Sequence, residues 1–115
     1  MSSPYRIASG TLTNAVAYPD NVDTTGAARR YVRLADALDA PNAQTVTPQI
    51  AVTATFGTAT IQPQQSLDGG TTWVNVGSAI SSAGITSLGT MAAGALFRIL
   101  ITGTGNITGA TVSIN

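Results

Sequence analysis

Apolar and polar side chains alternate along most of the second half of the chain. Between residues 49 and 56, apolar side chains occupy every second position from Ile50 to Phe56. A repeat of two is that of a β-strand, whose successive side chains face opposite sides of the sheet. The same pattern predicts further short strands, separated by turn residues, at 59–67, 72–76, 85–88, 96–102 and 107–114.

About six to eight short strands with turn signals roughly every 8–12 residues indicate an all-β protein. We therefore predict a small antiparallel β-sandwich, of the jelly-roll or immunoglobulin-like type. Its core is expected to occupy residues 46–115. The chain has 115 residues, which suits one domain that buries roughly two thirds of its unfolded surface.

Residues 1–45 have a weaker pattern and are predicted to form an irregular N-terminal arm, either poorly ordered or engaged in contacts. Within this arm, residues 27–39 show helical periodicity. The residues at i, i+3, i+4 and i+7 of one face are Tyr31, Leu34, Ala35 and Leu38. Pro41 would end such a helix. We predict one short helix here, with a strand at 30–34 as the competing interpretation.

The segment 96–102 is the most hydrophobic of the predicted strands. If its odd-numbered residues fill the core, then Leu96, Arg98 and Leu100 form an outer face that is too apolar for open water. An apolar run of this kind implies cover on both sides of the strand. The cover would come from another subunit or from the N-terminal arm. We therefore predict that these three residues belong to an interface and that the protein is an oligomer.

Charged residues are few and balanced, with five Arg, five Asp and no Lys, Glu, His or Cys. Zero net charge argues against a nucleic-acid partner. Without His or Cys, zinc, haem and iron–sulfur sites lack their usual ligands, and catalysis at neutral pH lacks its commonest side chains. We expect no enzyme activity, no metal and no cofactor. No stretch resembles a signal peptide or a membrane span, so we expect synthesis in a cytoplasm and no membrane partner.

Arg29, Arg30 and Arg33 form a cluster of positive charge. They could lie on the solvated face of the predicted helix, where Arg33 can pair with Asp36 at i, i+3. They could instead meet a carboxylate-bearing partner surface through bidentate pairs. Because the rest of the chain carries little charge, electrostatic repulsion between copies of the protein is weak, and its edge strands are poorly protected against pairing with other chains. Both features favour a protein that works in an assembly.

The segment Ser66–Trp73 reads as the tight turn of a β-hairpin. Asp68 can accept hydrogen bonds from the N–H groups of the turn, and Gly69 and Gly70 supply positive φ angles at no steric cost. Trp73 can then cover the hairpin and bury a large apolar area. The pattern Ser-x-Asp-x-Gly-x-Thr-Trp resembles the Asp-box hairpin, which implies a folding device remote from any active site.

Trp73 and Asp68 each have a second interpretation. Trp73 could be a platform for a sugar ring, with amides nearby at Gln62, Gln64 and Gln65, although no other aromatic residue is close in sequence. Asp68 could be a general acid or a metal ligand, but it has no second carboxylate close by in sequence. We favour a packed Trp73 and a turn-capping Asp68.

Two segments together resemble small bacteriophage virion proteins: GTATIQPQQSLDGGTTWVNVG (57–77) and FRILITGTGNITGATV (97–112). Small head-decoration and tail-associated sandwiches of phages are similar in length, in richness in Thr, Gly and Ala, in lacking Cys and in having an irregular arm. The resemblance implies a capsid decoration or cement protein, commonly a homotrimer, located in the virion. The alternative is a carbohydrate-binding or host-adsorption module that uses Trp73 and the neighbouring glutamines. A hydrolase ranks third.

Overall fold

The computed structural model describes residues 4–22, 25–26 and 28–115. The described part of the chain is mostly strand with one short helix, which confirms the predicted all-β class. In chain order the elements are β1 Tyr5–Leu12, β2 Ala17–Tyr18, β3 Asn21–Val22, β4 Ala28–Arg29, β5 Val32–Arg33, α1 Leu34–Ala37, β6 Thr45–Val46, β7 Gln49–Thr55, β8 Ala59–Ser66, β9 Val74–Asn75, β10 Gly84–Ser87, β11 Met91–Ala92, β12 Leu96–Gly103 and β13 Ile107–Ile114.

Two antiparallel sheets form the body of the protein. The first sheet has the order β1-β13-β7-β10. In the second sheet, β12 lies between β8 and the two short strands β2 and β5, and β9 lies beyond β8. The strand pairs β6–β11 and β3–β4 complete the described strands. Because β7 and β8 belong to different sheets, as do β12 and β13, the short turns between them carry the chain across the sandwich.

One apolar core joins the two sheets. In β12, Phe97, Ile99 and Ile101 are completely buried, while the residues between them are half-buried on the outer face, as the alternation predicts. The first sheet contributes buried side chains from β7 and β13, among them Ile50, Val52, Ala110, Val112 and Ile114. Burying a large aliphatic side chain stabilises the fold by about 1.5–3 kcal/mol, so this shared layer holds the sheets face to face.

The core begins earlier in the chain than residue 46, where the sequence analysis places its start. Strand β1 pairs with β13 along the edge of the first sheet, and its side chains Ile7 and Leu12 are buried in the core. Leu34 is also completely buried. The N-terminal region is therefore part of the sandwich over much of its described length.

The predicted helix over residues 27–39 is much shorter in the structure, and residue 27 lies outside the described residues. The helix α1 spans Leu34–Ala37, and the residues just before it form β5, which pairs with the start of β12. The competing strand interpretation is thus partly right. Pairing with a central strand satisfies the backbone of β5, and the N–H groups of Leu34 and Ala35 donate to the carbonyls of Ala95 and Ala93, at 3.0 and 2.8 Å.

Candidate functional site

The Ser66–Trp73 turn is held together by its own side chains. The Ser66 hydroxyl donates to Asp68 Oδ1 at 2.8 Å and accepts a hydrogen bond from the N–H of Gly70 at 2.9 Å. Asp68 Oδ1 also accepts the N–H of Thr72 at 2.8 Å. Gly69 and Gly70 have φ angles of 79° and 97°, in the region that the turn analysis requires. The serine and the aspartate therefore cap the turn jointly.

These contacts determine the charge state of Asp68. The hydrogen bond from the Thr72 N–H, followed by that from the Ser66 hydroxyl, lowers the pKa of the Asp68 carboxyl from its ordinary value of 3.8 to about 2. The carboxylate is exposed, so hydrogen bonding and not burial causes the shift. At neutral pH the group is an ionised turn cap, which gives it no proton to donate as a general acid.

Trp73 is half-buried, with contacts on its edge and on its ring. Its indole N–H donates to the carbonyl of Gly70 at 3.0 Å, which ties the ring to the turn. The guanidinium carbon of Arg98 lies 4.2 Å from the ring centre of Trp73. The ring of Tyr31 lies 5.9 Å away, centre to centre, tilted by 46°. Trp73 is therefore packed between neighbours.

Arg98 is oriented by neighbouring strands of the second sheet. It faces Gln64 across the β12–β8 pair, and its Nε donates to Gln64 Oε1 at 2.8 Å. Gln64 Nε2 in turn donates to Asn75 Oδ1 at 3.1 Å. Partial burial lowers the pKa of the Arg98 guanidinium from its ordinary value. This chain of hydrogen bonds holds a cation against an aromatic ring on the outer face of the sheet.

A second arginine lies on Tyr31. The guanidinium carbon of Arg29 is 5.1 Å from the Tyr31 ring centre. Its Nε is buried and has no hydrogen-bond partner among the described residues. Two cations and two aromatic rings thus form a continuous arrangement, which consists of Arg29, Tyr31, Trp73 and Arg98. We call it the arginine–aromatic cluster.

The structure separates the remaining predicted interface residues into two groups. Arg30 pairs with Asp20 at 2.9 Å, and Arg33 pairs with Asp36 at 3.5 Å with the predicted i, i+3 spacing. These two arginines therefore lie in local surface ion pairs, and because Arg29 belongs to β4, the three do not share one helix face.

Leu96 and Leu100 share the outer face of β12 with Arg98 and are half-buried. Leu96 Cδ1 approaches Gly70, where a Cβ atom would lie 3.7 Å from it. The short strands β2 and β5 flank β12 on one side, so part of the cover expected from another subunit comes from the same chain.

Two residues of this site, Tyr31 and Asn75, are missed by the sequence analysis. Tyr31 fits a helical face equally well, and its approach to Trp73 depends on the pairing of β5 with β12. Asn75 follows from the hairpin, because the β8–β9 register places it opposite Gln64. That register could have been counted outward from the Ser66–Trp73 turn.

A second surface lies on the opposite sheet. Strands β7, β10 and β13 contain no charged residue. Ile85 of β10 is 72% exposed and faces Ala51 across the strand pair. A shallow, mostly apolar hollow of about 460 Å³ runs along this face, lined by residues that include Ala51, Thr53, Ile85, Thr111 and Ser113. We call these five residues the neutral face.

Outside the two surfaces above, the described residues contain no further cluster of chemically reactive side chains. A hollow of about 530 Å³ beside β1 is lined by one arginine, Arg6, and one carboxylate, Asp20. The described residues contain no group of three or more metal-ligating side chains and no helix long and apolar enough to cross a membrane. Comparison of the chain with protein-family models, curated proteins and solved structures finds no match.

Proposed function

We propose that this chain is a non-enzymatic structural protein of a bacteriophage virion, a capsid decoration protein that binds the shell as a homotrimer. The observation that supports it best is the neutral face. Ile85 is 72% exposed at the edge of a three-strand surface without charge. Exposed apolar surface of this kind marks contact sites in proteins that work in assemblies.

The physical case for association rests on what the neutral face lacks. The edge strand β10 carries neither a charged residue nor a proline, the devices that commonly keep strand edges apart. Burial of Ile85 against a second copy would contribute about 1.5–3 kcal/mol per side chain. Zero net charge leaves little electrostatic repulsion between copies. This face is better suited to the contact than Leu96 and Leu100, which are half-buried within the chain.

Light scattering on Ile85→Lys tests the self-association. Leu67→Lys is a matched control, because Leu67 is also 72% exposed but lies in the Ser66–Trp73 turn, away from the neutral face. At micromolar concentration the unmodified protein should have three times the monomer mass of 11.6 kDa. Ile85→Lys should be monomeric and Leu67→Lys trimeric. A monomeric unmodified protein rejects the trimer, and failure to co-sediment with phage particles rejects the decoration role.

The second candidate is a carbohydrate-binding or host-adsorption module. The structure places Tyr31 beside Trp73, which supplies the second aromatic residue that the sequence lacks nearby. Gln64 and Asn75 add amides, but Arg98 occupies a face of the Trp73 ring where a sugar would stack. Saturable quenching of Trp73 fluorescence by a neutral oligosaccharide would favour this candidate.

A further inference from the structure

We propose that the arginine–aromatic cluster is a docking site for the carboxylate groups of an acidic segment on a partner protein. The inference names the partner chemistry of the proposed shell contact and so rests on the proposed function. It places this contact on the second sheet, opposite the neutral face proposed for self-association. The two surfaces would then have separate tasks, one towards other copies and one towards the shell.

The first argument is the distribution of charge. Of the arginines near this face, Arg30 and Arg33 are compensated by Asp20 and Asp36. Among the residues that the structure describes, Arg29 and Arg98 have no carboxylate partner. Asp68 belongs to the adjoining hairpin, but its Oδ1 accepts hydrogen bonds from the turn itself. The cluster therefore presents positive charge that a partner carboxylate could neutralise.

The second argument is unused hydrogen-bonding capacity. Arg98 uses its Nε on Gln64, and within the described chain its two terminal nitrogens make no hydrogen bond. Within the part of the chain that the structure describes, the Nε of Arg29 is buried without an acceptor. Buried donors are normally paired, so this nitrogen has the capacity to bind a further acceptor. A planar guanidinium matches a carboxylate through two parallel N–H···O bonds.

The third argument is preorganisation. Arg98 is held between the Trp73 ring and the Gln64–Asn75 hydrogen bond, and Arg29 is held against Tyr31. Side chains already fixed in place lose less conformational entropy when a ligand binds. The same packing disfavours a sugar, because guanidinium groups occupy faces of both aromatic rings. The hydrogen-bond donors that the cluster offers to a ligand are cationic guanidinium groups, so they favour an acidic peptide.

The single tryptophan of the chain provides the measurement. Hexaglutamate is titrated into the full-length protein while Trp73 fluorescence is followed, with hexaglutamine as the uncharged probe. We expect a saturable change with hexaglutamate that weakens as salt is added, and none with hexaglutamine. Arg98→Gln should weaken binding about tenfold, and Arg29→Gln should also weaken it. Arg6→Gln is the matched control, an exposed arginine in β1 on the other sheet, and should bind normally.

Calorimetric titration repeats the measurement without relying on Trp73 emission, and circular dichroism checks that Arg98→Gln is folded. If Arg98→Gln does not fold, Arg29→Gln and Arg98→Lys carry the comparison, since lysine keeps the charge but loses bidentate pairing. Equal binding by all variants, or no saturable response, overturns the inference. Binding of hexagalacturonate without binding of hexaglutamate also overturns it, in favour of an acidic glycan. If the protein is a trimer but does not bind hexaglutamate, this inference alone is rejected. If the protein is a monomer that binds hexaglutamate, the proposed assembly alone is rejected.

Discussion

The guanidinium carbon of Arg98 lies 4.2 Å from the ring centre of Trp73, although Arg98 belongs to β12 and Trp73 ends the turn that follows β8. The contact links β12 to the Ser66–Trp73 turn, and Tyr31 adds the N-terminal region to the same cluster. Three distant parts of the chain thus meet on the outer face of the second sheet. The first prediction concerns the strength of this link.

A double-mutant cycle should detect coupling between Arg98 and Trp73. Arg98→Gln and Trp73→Leu together should destabilise the protein by about 1 kcal/mol less than the sum of the single changes, because a cation–π contact is lost only once. Unfolding by denaturant, followed by circular dichroism, gives the four free energies. Arg6→Gln combined with Trp73→Leu is the control pair, and its effects should add to within about 0.5 kcal/mol. Additive effects at Arg98 as well would mean that the contact contributes nothing.

Acid should weaken the Ser66–Trp73 turn through Asp68. The pKa of Asp68 is lowered in the folded protein, so its contribution to stability is fully present above the ordinary pKa of 3.8. That contribution is lost as the pH falls from 3.8 towards the folded pKa of about 2. Asp68→Asn retains an acceptor for the Thr72 N–H but does not titrate. Stability measured from pH 5 to pH 2 should therefore fall more steeply in the unmodified protein than in Asp68→Asn. Parallel curves would show that the other carboxyl groups account for the whole acid response.

The long strands could be predicted because each has one face in the core. Strand β13 has the predicted bounds, and β7, β8 and β12 differ from prediction by about one residue at an end. In β7 and β12, burial follows the period-two pattern along the whole strand. In β13 the pattern is interrupted by a register shift between Thr108 and Thr111, and in β8 both faces are buried over residues 61–64. Such alternation is a local property, so it can be read without knowing which strands pair. The same holds for the turn residues Gly69 and Gly70.

The N-terminal region could not be predicted in this way, because long-range pairing determines its structure. Residues 32–33 fit a helical pattern, yet they pair with Leu96 and Phe97 in β12, and this pairing limits the helix to Leu34–Ala37. The arginine–aromatic cluster depends on the same pairing. Asn75 and Gln64 could have been placed together from the hairpin, whereas nothing near Tyr31 indicates Trp73 as its neighbour.

Leu12→Ala tests whether β1 is part of the core and not a detachable arm. Leu12 is completely buried in the core, so truncation should cost about 2–5 kcal/mol and lower the denaturant midpoint. Thr11→Ala is the neighbouring control, with an exposed side chain in the same strand, and should cost less than about 1 kcal/mol. The slope of the unfolding free energy against denaturant concentration should be the same in both variants as in the unmodified protein. Similar midpoints for the two variants would show that the arm is dispensable for the fold.

Gly103→Ala should be far more damaging than Gly105→Ala, although both glycines have positive φ, 90° and 78°. Gly103 is the last residue of β12, and Gly105 lies in the turn that follows it. At Gly105 an added Cβ would meet nothing within 4 Å, so that variant carries only the cost of a left-handed alanine, about 1–2 kcal/mol. At Gly103 the Cβ would lie 2.6 Å from the backbone carbonyl oxygen of Thr58, which must then shift.

Thr58 has little freedom to move away from Gly103. Its hydroxyl donates to the carbonyl of Thr104 at 2.8 Å, and Ala59, the next residue, is paired directly with Gly103 in the β8–β12 register. Overpacking should therefore add about 1–3 kcal/mol to the cost of Gly103→Ala beyond that of Gly105→Ala. Thermal and denaturant unfolding of the two variants, measured side by side, gives this difference directly. Equal losses would mean that the β12–β13 turn can move away from Thr58, and that the close approach between the two sheet-crossing turns does not constrain the fold.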